Sequence, residues 1–135
     1  MHPPDLQTRS DIERLINAFY DKVKADPGIG YIFNDIARVN WPHHLPIMYD
    51  FWESVLFSNA VYKGNPMQVH FELNRKVALS HEHFETWLFL FDSSVDELFS
   101  GSNADLLKQK ARSIAWLMEY KLQQSNPGGI SIHPA

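Results

Sequence analysis

The chain has 135 residues and 44% hydrophobic content, enough to bury one core without disulfides or structural zinc, and a single domain over residues 1–135 is expected. It contains no cysteine, which excludes disulfide frameworks, thiolate metal sites, iron–sulfur clusters and haem attached through a CxxCH motif. A net charge of −4 gives no cationic field for nucleic acid, and no apolar run approaches the roughly 18 residues of a membrane span, so a soluble, cytoplasmic protein is expected.

Ser10-Asp11-Ile12-Glu13 has the capping-box pattern and predicts a helix start, because Ser10 can accept from the Glu13 amide while Glu13 reaches back. Ile12, Leu15, Ile16, Phe19, Tyr20 and Val23 then recur every three or four residues, building one apolar face that ends at Asp26-Pro27-Gly28. Tyr20 belongs to the buried face. Residues 30–35 read as a short helical turn carrying Tyr31, Ile32 and Phe33, and residues 36–41 as irregular.

A helix from about His43 or His44 to Ser58 places His44, Met48, Phe51, Trp52 and Val55 together. Pro42 and Pro46 fit only the first turn of such a helix, where a missing amide costs little. Residues 59–65 read as loop, and Asn65-Pro66 as the start of a short helix containing Met67, His70 and Phe71. Residues 74–79 show no clear period. Ser80 is positioned to cap a long helix to about Phe99, with Phe84, Trp87, Leu88, Phe91, Val95 and Leu98 as its stripe. Gly101-Ser102-Asn103 breaks the chain before a final helix, from Ala104 to about Gln123, that buries Leu107, Ala111, Ile114, Ala115, Met118 and Leu122. The tail from Ser125 to Ala135, with two prolines and two glycines, is expected to lack fixed structure. No strand pattern, repeat or phosphate-binding glycine loop is present, and the expected fold is all-α.

Most of the seven histidines can be set aside by position. His2 and His133 lie in the terminal segments. His81 and His83 are two apart at a helix start, so they point to different faces. His43 is turned about 100° from His44 on a helix and is expected to face solvent. His44 and His70 are left. Singly, each is more often an ordinary core or surface histidine than a ligand, and the 13% aromatic content by itself favours a bulky core. Together they form a pattern: two histidines on separate helices, with Tyr20 and Trp87 on inward faces. Buried imidazole, phenol and indole groups each cost a few kcal/mol unless partnered, so such a core should be organised around something polar. A haem with a ligand on its iron meets that need. A cofactor-free helical interaction module is the alternative.

Taken in order, Phe19-Tyr20-Asp21-Lys22-Val23, Ile32-Phe33-Asn34, Trp41-Pro42-His43-His44, Asp50-Phe51-Trp52, His70-Phe71-Glu72-Leu73 and Phe84-Glu85-Thr86-Trp87-Leu88-Phe89-Leu90-Phe91 resemble the group III truncated haemoglobins. The resemblance runs from about Ser10 to Leu122. It implies a two-over-two helical sandwich around haem b, with a minimal first helix. It also implies that His70 is the proximal iron ligand and that Tyr20, His44 and Trp87 face the bound ligand. Phe33 corresponds to the aromatic packed on the haem, and Met48 and Trp52 to pocket walls. The chain departs from the family pattern at Pro46 and in lacking a proline-rich run over residues 74–79. The implied function is binding of O2, NO, CO or peroxide, with NO or peroxide chemistry supported by a reductase, or else non-catalytic gas sensing or storage. Arg75 or Lys76 is a candidate partner for a haem propionate, with an exposed charged loop as the plain alternative.

Overall fold

The computed structural model describes residues 3–59, 61–65, 70, 72–74 and 76–125. Four long helices dominate: α1 (Arg9–Ala25), α2 (Trp41–Phe57), α3 (His81–Leu98) and α4 (Ser102–Ser125). A π-helical turn, Ile32–Ile36, lies between α1 and α2, and His70, residues 72–74 and Lys76 are helical between α2 and α3. No strand occurs among the described residues. Helix α1 packs on α2 and α3, while α4 packs on α3 and α2, giving two helix pairs laid one over the other. Met67, Phe71, Arg75 and the tail from residue 126 onward lie outside the described residues.

The stripe read on α1 is the centre of the core: Ile12, Leu15, Ile16, Phe19 and Val23 are fully buried and Tyr20 nearly so. From α3, Phe91 and Val95 meet them, and Leu107 and Ala111 of α4 close the far side. Ala115, Met118 and Leu122 form a second cluster with Phe84 near the other end of the α3–α4 pair.

Three local expectations are corrected. The α1 cap is Thr8, not Ser10: Thr8 Oγ1 accepts from the Asp11 amide, and Asp11 accepts from the Thr8 amide in return. Both sequences fit the capping pattern, and a long-range contact decides between them. Leu6 is fully buried, and the neighbouring Asp5 carboxylate accepts from the amides of Asn103 and Ala104 at the α3–α4 corner. That clasp fixes the chain entry two residues ahead of the cap. Burial raises the Asp5 pKa, but its bonds to the Asn103, Ala104 and Leu6 amides outweigh burial and leave it below the usual carboxylate value. Gly101 completes the corner at φ 140°, where a Cβ would lie 2.5 Å from the Asp5 carboxyl carbon. Losing an N-cap side chain costs typically about 1 kcal/mol. Thr8→Ala should therefore destabilise by about that much in urea unfolding, whereas Ser10→Ala should change little; the reverse order would restore Ser10 as the cap.

The second correction is at α2, which begins at Trp41, so that Pro42 falls in the first turn and Pro46 inside the helix. Pro46 has no amide to give the Pro42 carbonyl, and the helix continues past the missing bond. The third is at α4, which runs from Ser102 to Ser125, longer than expected at both ends. The helical residues after His70 also reach Lys76, with the Val77 amide donating to the Leu73 carbonyl. Ser80 caps α3 as expected, accepting from the His83 amide, while His83 Nδ1 accepts from the Ser80 amide.

His81 is exposed and bridges α3 to α4. Its Nδ1 lies 2.9 Å from Glu119 and its Nε2 lies 3.2 Å from Glu85. The Glu119 hydrogen bond, then the charges of Glu119 and Glu85, raise its pKa above the ordinary 6.5. An upward shift means that this stabilisation is complete below the unfolded pKa and disappears as pH rises through the folded one. The difference in thermal midpoint between the wild type and His81→Gln should accordingly be present near about pH 5.5 and absent near about pH 9. A difference that grows toward high pH would contradict the pairing.

Candidate functional site

Tyr20 comes from the middle of α1, Phe33 from the π-helical turn, and Trp41 and His44 from the first turns of α2. Their rings meet: Tyr20 lies 5.5 Å from His44, 5.2 Å from Trp41 and 6.1 Å from Phe33, centroid to centroid. Trp41 lies 5.6 Å from His44 and stacks on Phe33 at 6.2 Å. The corner that brings Phe33 here depends on Gly30, where a Cβ would stand 2.7 Å from the Lys24 carbonyl oxygen. The Asn34 side chain donates to that same carbonyl and holds the turn against the end of α1.

The electrostatics of this cluster are those of neutral, buried polar groups. Burial pushes the Tyr20 hydroxyl above the usual phenol range, so it stays protonated and keeps a proton to donate. Burial first, then the charges of His70 and His43, push His44 below the ordinary histidine value, so it stays a neutral imidazole. His70 is thus close enough for a charge on it to be felt at His44. The Nε2 atom of His44 is fully buried and has no hydrogen-bond partner among the described residues. An unpaired buried imidazole nitrogen is unfavourable, and a bound group is one of the recognised reasons for such an atom.

Beside this cluster stands a second. Trp87 of α3 stacks on Phe91 at 5.6 Å and on Trp52 of α2 at 6.1 Å, and meets Phe19 edge-on at 5.4 Å. Phe19 in turn meets Tyr20 at 4.9 Å and so joins the two clusters. Trp52 is buried, while Met48 and Trp87 are half-buried against the same core. The structure therefore brings Tyr20, Phe33 and His44 together and His70 within electrostatic reach, and sets Trp87 one ring away from Tyr20, through Phe19, and Trp52 two rings away. His43 is exposed, as its position next to His44 suggested.

Trp41 is absent from the site read in the sequence, because a helix starting at about His43 or His44 leaves it in the irregular segment 36–41. The available signal was its spacing: Trp41, His44, Met48 and Trp52 follow one another at three, four and four residues. Extending the stripe one turn back across Pro42 reaches it.

A haem requires flat apolar walls, an imidazole to hold the iron and polar groups on the opposite side. The residues present fit that requirement: two aromatic clusters, a neutral imidazole with an unpartnered buried nitrogen, a protonated buried phenol, and a second histidine nearby.

No protein-family model matches the chain. The group 3 truncated hemoglobin ctb of Campylobacter jejuni is 30% identical over 110 residues, covering 79% of this chain and 84% of the relative. The crystal structure of the group III truncated hemoglobin from Campylobacter jejuni superposes with a TM-score of 0.78 at 28% identity, over 90% of this chain and 95% of that one. The all-helical arrangement described above therefore matches that structure over most of both chains. With relatedness of this extent along most of its length, the chain belongs to the group III truncated haemoglobins.

Proposed function

We propose that the chain binds haem b through His70 and holds a diatomic gas against Tyr20, His44 and Trp87. The observation that carries this reading is the buried, unpartnered Nε2 of His44, set beside the protonated hydroxyl of Tyr20 and within reach of His70. When bound, haem supplies the open coordination position for O2, NO or CO and the redox change that NO or peroxide chemistry uses. Phe33, Met48 and Trp52 supply the apolar walls, and Lys76 is a candidate to pair with a propionate.

Tyr20 and Trp87 offer an O–H and an N–H donor, and His44 offers a third when its proton is on Nε2. Donors fixed in a buried site stabilise negative charge that develops on a small ligand and retard its release. So many donors suit chemistry on the ligand, NO dioxygenation or peroxide reduction, better than rapid exchange. Repeated turnover of either kind draws electrons from a partner, so a cytoplasmic reductase belongs to this reading.

The visible absorption spectrum of the purified protein tests the cofactor. A Soret band that titrates with haemin to one equivalent is expected, and a folded, colourless chain that gains none would refute the reading. Mixing the oxygenated form with NO in a single turnover tests the chemistry: nitrate formed no faster than with free haem would leave gas sensing or storage as the function.

A further inference from the structure

Trp41 occupies a position that the ligand donors do not. It is in ring contact with Tyr20, Phe33 and His44 together, yet it is only half-buried. On the side of solvent, the Lys24 ammonium lies 5.0 Å from its ring centroid, and Lys24 is itself partly exposed and paired with Asp21 at 3.6 Å. A cation over an indole face is attracted by the ring, and Lys24 is anchored through its own carbonyl by Asn34.

The backbone beneath Trp41 is loosely held. Asn40 is the N-cap of α2 but makes no side-chain cap bond, Arg38 sits at φ 51° in the left-handed region, and Pro46 leaves the Pro42 carbonyl without its helical partner. The first turn is tied by the His43 and His44 amides, both donating to the Asn40 carbonyl. A side chain between solvent and the buried Tyr20 and His44, on a turn with this few constraints, has the form of a shutter.

We propose that Trp41 is the shutter through which a small ligand reaches the buried Tyr20 and His44, with Lys24 as its outer latch. This rests on the haem reading above. Swinging the indole outward breaks its contacts to Tyr20, His44 and Phe33 and uncovers the two polar groups; Lys24 opposes the swing. Trp41 therefore sets the rate of entry and the size of ligand admitted, while the donors set how long the ligand stays.

Photolysis and rebinding on the ferrous holoprotein, with CO and with n-butyl isocyanide, tests the proposal. Trp41→Ala should speed CO entry about tenfold, inside the range over which association rates vary among variants of one site, and should speed the larger isocyanide more. Lys24→Met should speed both by roughly twofold to fivefold, the worth of one exposed cation–π contact. Lys24→Met should also accelerate hydrogen exchange at the His43 and His44 amides, with or without haem. Should Trp41→Ala fail to fold, Trp41→Phe and Lys24→Met decide the matter. Wild-type entry rates and unchanged size selectivity in haem-replete variants would overturn the shutter, whereas a wild-type chain that takes up no haem would instead overturn the reading beneath it.

Discussion

His70→Ala is expected to lose haem. In the proposed reading His70 would be the protein's bond to the iron, and without it haem would be held by the apolar walls alone. Its rate of haem loss should rise by about a hundredfold or more, the equivalent of about 2.7 kcal/mol or more. Added imidazole should restore the spectrum, because it replaces the missing ligand without repairing any packing. The controls are the other histidines of the same region: His81 pairs with Glu119 and Glu85, and His83 is engaged in the α3 cap, so His81→Ala and His83→Ala should retain haem as the wild type does. Haem loss in either of these, with His70→Ala intact, would show that a different histidine holds the iron. Transfer of haem to an excess of apomyoglobin measures all three.

Tyr20→Phe is the second large effect. The hydroxyl is buried and protonated, and in the proposed reading it donates to a partly charged ligand, so the substitution would remove one hydrogen bond, a loss of roughly 1.5–3 kcal/mol. Release of O2 should accelerate about tenfold to hundredfold, since 1.4 kcal/mol corresponds to a factor of ten. Carbon monoxide carries little negative charge on its oxygen, so its release should change far less. Trp87→Phe should act in the same direction. Trp87 reaches the Tyr20 cluster through Phe19, so the double mutant is not expected to show the sum of the two effects. Stopped-flow release of both gases from the single and double mutants separates the cases: equal acceleration of O2 and CO would mean that the pocket had opened, not that a donor had gone.

The helices with strong periodicity were legible in the residues themselves. Every member of the α1 stripe is buried, and Ser80 marks the start of α3, where it caps the helix by accepting from the His83 amide. Boundaries governed by distant parts of the chain were not legible. Thr8 and Ser10 are equally good local caps, and what selects Thr8 is the burial of Leu6 and the bonds of Asp5 to residues almost a hundred positions away. Pro46 reads locally as a first-turn residue, yet α2 carries it inside because Met48, Trp52 and the core they face sustain the helix past one absent bond.

The site was legible in a similar, partial way. Tyr20, Phe33 and His44 come from three separate segments, and their convergence follows from the resemblance more than from any spacing along the chain. Trp41 is not legible because residues 36–41 show no helical period, which leaves it ahead of a helix whose start two prolines blur.

The Asp5 clasp also bears on how the chain is made. Its acceptor leaves the ribosome well before the amides it receives, which belong to Asn103 and Ala104, 98 and 99 positions later. At about 5–20 residues per second, some 5–20 s of synthesis separate them. Helices α1 and α2 can pair during that interval, but Leu6 has no finished core to enter until α3 and the start of α4 have followed. The N-terminal end of α1 is therefore sealed by residues made about a hundred positions later, and release of the nascent protein before the α3–α4 corner emerges would leave that end open to proteases.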